Sequence, residues 1–172
     1  MIELIKAFAE IAVRKMGPED LPASNFLLSV TFAAYLLVEL PLALIVFGST
    51  QQALITVAYD VGLLVVSLWL LLAIVGRPAR FRQTLTAILG TSALLGLMSV
   101  PFSLWRKMLG DVEPGTTVPS AFILAIVLWS FAVDGHILSR ALSKPYALGL
   151  MLAFIYLVVH TTLLSKIVPV AG

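Results

Sequence analysis

The chain has 172 residues, of which 60% are hydrophobic and 12% charged, with a formal net charge of +2 and a mean hydropathy of +1.07. A soluble domain carries about 25% charged residues, so half that charge, combined with apolar runs of about 20 residues, excludes an ordinary soluble domain and points to a membrane. The small net charge, with Lys and Arg gathered in loops, argues against nucleic acid as a partner, and the absence of cysteine rules out disulfides, thiolate metal sites and a cysteine nucleophile.

Residues 1–16 read as an amphipathic helix. Glu3, Lys6, Glu10 and Arg14 recur every three or four positions, and Ile2, Ile5, Phe8, Ala9, Ala12 and Met16 occupy the opposite phase. Without an uninterrupted apolar core or a small-residue cleavage site, the segment is not a signal peptide. It is expected to lie in the membrane interface, packed on its own bundle or docked on a partner. Gly17-Pro18 ends it, and Ser24 or Asn25 caps the next helix.

Five membrane-spanning helices are predicted, over about residues 26–47, 53–75, 84–104, 120–143 and 146–168. Pro41 and Pro101 are expected to kink the first and third. Ala58 and Gly62 form a small-xxx-small pair for close helix contact, and Gly90, Ser92 and Gly96 offer small contacts in the third span. Gly110 to Gly115 reads as an exposed turn, and Lys144-Pro145 as a tight reversal. The fold class is therefore all-α integral membrane: one five-helix bundle with an N-terminal amphipathic helix, and no strand pattern.

Five spans place the termini on opposite sides. Lys6, Arg14, Lys15, Arg77, Arg80, Arg82, Arg140 and Lys144 would share the N-terminal side, leaving Arg106, Lys107 and Lys166 on the other. The positive-inside rule then puts the N-terminus in the cytoplasm and the C-terminus outside.

Ionisable groups inside such spans are expensive and need partners. By depth, Glu39, Asp60 and His160 share one level, roughly 10–14 Å below the outer surface at 1.5 Å per residue. Asp134 belongs to the other half, with His136 and Arg140 nearer the cytoplasm. Asp134 stands about 200° around the helix from His136 and pairs poorly with Arg140, which reaches the headgroups instead. Two readings of Glu39, Asp60 and His160 stand side by side: a proton or cation relay, or neutral acids in interhelical hydrogen bonds. The two histidines lie in opposite halves and cannot share a metal ion. The loop Arg77, Arg80 and Arg82 faces anionic lipid or an acidic partner, or is simply the topology signal. Tyr59, Trp69, Trp105, Trp129 and Tyr146 read as interface anchors or packing residues.

No complete catalytic motif is present. Asp134-Gly135 followed by Arg140 approximates the start of the CDP-alcohol phosphotransferase motif, but the spacing is one residue too long and the later aspartates are missing. There is no Gly-x-Ser-x-Gly elbow, His-Glu-x-x-His pair or Walker loop.

Two stretches carry a family resemblance. They are Gly76-Arg77-Pro78-Ala79-Arg80-Phe81-Arg82-Gln83-Thr84-Leu85, and Trp129 with Gly135-His136-Ile137-Leu138-Ser139-Arg140-Ala141-Leu142 leading into the last span. Tyr59-Asp60-Val61-Gly62 is a looser echo. The chain resembles the Yip1-type membrane proteins, particularly bacterial members, over spans two to five. The resemblance implies five spans, a cytoplasmic N-terminus and a bacterial inner membrane. It supplies no catalytic residue and no cofactor. The long cytoplasmic N-terminal region of the GTPase-binding eukaryotic members is missing.

Three functions stand as expectations. The first is a non-enzymatic Yip1-like scaffold, assembly factor or accessory subunit, in a lipid bilayer with a membrane-protein partner. The second is a small proton- or cation-coupled transporter or channel, formed as a homo-oligomer because five helices enclose little pore. The third, with least in its favour, is a lipid-modifying enzyme built on Asp134, His136 and Arg140.

Overall fold

The computed structural model describes residues 2–109 and 118–167. The turn predicted over 110–115 lies outside them. Among the described residues, six α-helices occur in the order α1 (Ile2–Ala12), α2 (Asn25–Phe47), α3 (Thr50–Ile74), α4 (Phe81–Met108), α5 (Val118–Leu142) and α6 (Tyr146–Ile167). Short 3-10 turns at Pro18–Asp20 and Pro78–Arg80 precede α2 and α4. No strand occurs among the described residues. Helices α2 to α6 are each long and apolar enough to cross a membrane, and a lipid bilayer is the environment their composition fits.

Local chemistry sets the ends. The Ser24 hydroxyl accepts the Leu27 N–H at 3.3 Å and starts α2, while Gly48 at φ 67° ends it in the left-handed region. Three other helices close with one device. The residue after the last turn is left-handed (Arg14 at φ 62°, Gly76 at 76°, Ser143 at 49°), and the next N–H reaches back five residues to a carbonyl. This closure ends α1 at Ala12, short of the predicted residue 16. Pro41 and Pro101 each remove a backbone bond, yet both α2 and α4 continue through them. Helix α4 starts three residues before the predicted span and runs four beyond it.

Helix α4 is the centre, packing against α1, α2, α3 and α5. Every residue from Thr84 to Thr91 is buried, so two turns of it are enclosed on all sides. The buried stretch of α5, Gly135 and Ile137 to Ser139 with Ala141 and Leu142, lies beside it. Both stretches sit at the end of the bundle that carries Arg77, Arg80, Arg82 and Arg140, here called the basic end.

Helix α1 helps to enclose this half. Its Phe8 ring lies on Gly90, where an added Cβ would stand 2.2 Å from the ring. Ile11 and Ala12 are buried in the same cluster. The Trp129 indole N–H donates to the Ala12 carbonyl at 2.9 Å, and Arg14 lies over the Tyr146 ring. Phe8, Ile11 and Ala12 of α1 are thus taken up by its own bundle, while Ile5 stays 56% exposed. Trp129, read as an interface anchor or a packing residue, packs as an internal tie.

The small residues pack differently from their spacing. Gly62 has nothing within 4 Å of an added Cβ, and Ala58 is exposed, so the expected small-xxx-small contact is absent. The close approach is between α5 and α6. A Cβ on Gly149 would stand 2.1 Å from the Gly135 carbonyl oxygen and 2.7 Å from the Ser139 nitrogen. In the membrane, where lipid competes equally for apolar surface, such backbone proximity is what holds helices together.

Candidate functional site

A cavity of about 430 Å³ lies between the helices. Tyr35 of α2 and Ile88 and Ser92 of α4 form its floor. Asp60 and Ser67 of α3, Ser130 and Asp134 of α5, and Tyr156 and His160 of α6 line its sides among apolar residues. Among the described residues, no Lys or Arg lines it.

The α6 helix explains how the cavity forms. It is held to α5 at Gly149 and Gly135, near the basic end. Eleven residues on, about 16 Å along the helix, it is held to α3 through His160. It therefore packs mainly on α5 and also meets α3, and the cavity lies where these helices come together. The fastening at α3 is polar. His160 Nε2 lies 2.6 Å from Asp60 Oδ1, with both side chains about one-fifth exposed (21% and 19%). The Tyr59 hydroxyl donates to the His160 backbone carbonyl at 3.1 Å. The rings of Tyr59 and Tyr156 flank the imidazole at 5.5 and 5.9 Å between centroids. Tyr59 is thus part of the site.

Sequence depth and structure differ over the acids. Glu39 shares the level of Asp60 and His160 but does not line the cavity. It turns toward α4, its Oε2 3.8 Å from a Cβ built on Gly96. Asp134 lies nearer the basic end yet opens into the same space as Asp60 and His160. It has no hydrogen-bond or ion-pair partner among the described residues.

His136 and Arg140 belong to a different arrangement. His136 Nε2 lies 2.9 Å from the Met16 carbonyl, which fixes the proton on that nitrogen. Arg140 pairs with Glu19 rather than reaching for headgroups. Arg80 donates to the Arg140 and Ala141 carbonyls at 3.1 and 2.8 Å and to the Ser143 hydroxyl, closing the carbonyl end of α5. Arg77 also bonds Ser143, Arg82 bonds Asn25 at 3.2 Å, and Gln83 bonds the Leu21 carbonyl at 2.6 Å. The basic loop is an internal clamp. Asp134, His136 and Arg140 do not converge on one point, and no group of three or more metal-ligating side chains occurs among the described residues.

Sequence reasoning misses Tyr35, Tyr156 and the serines 67, 92 and 130. A signal exists for two of them: Tyr156 is four residues before His160 and Tyr35 four before Glu39, so each shares a helix face with an ionisable group. No family model, curated protein or solved structure matches the chain.

Proposed function

We propose that the protein is a small membrane transporter in which Asp60, His160 and Asp134 pass protons through a cavity inside the bundle. The observation that carries this reading is the 2.6 Å Asp60–His160 contact at the wall of a space that is also lined by Asp134, a carboxylate unpartnered among the described residues. A proton held between His160 Nε2 and Asp60 Oδ1 returns the pair to its starting state when it leaves. The Tyr156 hydroxyl, able both to donate and to accept, lies on the α6 face between the pair and Asp134. The cavity volume of about 430 Å³ has room for water, which completes the path.

The orientation that goes with this reading has the basic end and α1 in the cytoplasm, on the eight-to-three distribution of Lys and Arg. Asp134 then serves the cytoplasmic side and the Asp60–His160 pair the outer side. A bacterial inner membrane and the Yip1-type resemblance remain part of the proposal and supply no site residue. The scaffold reading ranks second. It assigned α1 and the basic loop as partner surfaces, and both are engaged within the chain.

The test is proton flux into liposomes holding the purified protein under an imposed potential. Asp60→Asn and His160→Gln are expected to abolish it, and Glu39→Gln to leave most of it. Flux indifferent to Asp60→Asn would remove the proposal.

A further inference from the structure

The cavity is acidic, apolar and open on its side, and these three properties together select a ligand. It is acidic because two carboxylates and one imidazole line it without any Lys or Arg among the described residues. Asp60 has His160 as its partner, whereas Asp134 has none among the described residues. A carboxylate in apolar surroundings is costly until something of opposite charge, or a proton, meets it.

Its side between α5 and α6 is apolar. Val127 of α5 and Ile155 and Val159 of α6 stand on its wall, and they are 47%, 49% and 41% exposed. This part of the wall is therefore apolar and lies within the spans, at the level of lipid. A ligand using it arrives dissolved in the bilayer. Inside, Phe131 and Ser130 lie three and four residues before Asp134, on the same face of α5, and Tyr156 comes from α6. Aromatic faces beside a carboxylate suit a cation of low polarity. A volume of about 430 Å³ lies within the range of small-molecule sites.

We infer that the cavity binds an organic cation that partitions into lipid, entering sideways between α5 and α6 and held by Asp134. The inference rests on the relay reading for what the cation exchanges against. Arrival of the cation displaces the proton from Asp134, that proton leaves through the cavity water, and one positive charge replaces another. Neutral polar solutes and anions have little to bind, since the lining offers few donors and no cationic side chain.

The test uses two ions of one shape and opposite charge, tetraphenylphosphonium and tetraphenylborate, with equilibrium binding to the purified full chain in detergent. Saturable binding of the phosphonium alone is expected, weakened by on the order of tenfold or more in Asp134→Asn, the loss of one buried charge contact. Asp134→Glu, which keeps the charge, is expected to retain binding and shows that the substituted position still folds. Addition of the phosphonium should also release protons into a weakly buffered solution in the parent and not in Asp134→Asn. Equal binding of both ions, or phosphonium binding unchanged in Asp134→Asn, overturns the inference. Proton flux that depends on Asp60 without phosphonium binding would sink this inference and spare the relay. Phosphonium binding without proton flux would do the reverse.

Discussion

The two halves of the bundle are built for different purposes. At the basic end, α4 is enclosed for two turns, α1 covers it, and three arginines and a glutamine tie the loops to helix ends. Toward the other end, α6 also meets α3 at His160, the helices turn apolar side chains outward, and a cavity lies among α3, α5 and α6. A membrane protein needs such a division. Packing and backbone bonding in one half hold the helices in register, so the other half can leave volume and ionisable groups unsatisfied by its own chain.

The first way to break the comparison is to push α5 and α6 apart where they are fastened. Gly149→Leu places atoms where the Gly135 carbonyl already lies, and about 3 kcal/mol or more of destabilisation is expected, since overpacking costs typically 1–3 kcal/mol and here the obstacle is backbone. Gly62→Leu, with open space around it, is the matched control and should leave the unfolding midpoint in detergent unchanged. Equal losses from the two would mean that α6 is not anchored at Gly135.

Loosening α1 should cost about as much. Phe8→Ala removes a buried ring from Gly90, and roughly 3 kcal/mol is lost in comparable core truncations. The added sign of a detached α1 is rapid proteolysis near residues 13–16. Proton flux should survive, because no residue of α1 lines the cavity.

Single polar ties are smaller still. Trp129→Phe deletes one hydrogen bond to Ala12, expected to cost about 1 kcal/mol. Glu19→Gln removes an ion pair whose side chains are 32% and, for Arg140, 53% exposed. Solvent screens it, so a change below about 0.5 kcal/mol is expected. A large loss there would show that the basic end depends on this pair rather than on packing.

Much of this is legible in the sequence, and the limits have one cause. Hydropathy marks five spans to within a few residues, and the phase of Phe8 and Ala12 marks the face that α1 buries. Depth along each helix is also readable, which is why Asp60 and His160 fall together. What a single sequence does not carry is the order of helices around the bundle, and hence the direction each face points. Glu39 has the right depth and faces α4 instead. Asp134 has a different depth and lines the same cavity, because that cavity extends along the bundle from His160 to Leu138. The small-residue signal fails for the same reason. Ala58 and Gly62 share a face that meets no helix, while Gly135 and Gly149 are single glycines on two helices that happen to face each other. Arg77, Arg80 and Arg82 look like free charge in the sequence because their partners are distant in the chain: the Ser143 hydroxyl for Arg77, the Arg140 and Ala141 carbonyls for Arg80, and the Asn25 side chain for Arg82.

Central to the proposed function is one solvent-reachable space that runs past Ser67 and Asp134, inside helices that otherwise face lipid. The natural chain has no cysteine, so single cysteines report on it directly. Ser67 lines the cavity, and Val66 beside it is 56% exposed on the outer face at the same depth. The measurement is the rate at which a small, permanently cationic thiol reagent modifies Ser67→Cys and Val66→Cys in membranes. Ser67→Cys is expected to react and Val66→Cys, buried in lipid, to resist. Equal rates, or reaction at Val66→Cys alone, would contradict the existence of that space.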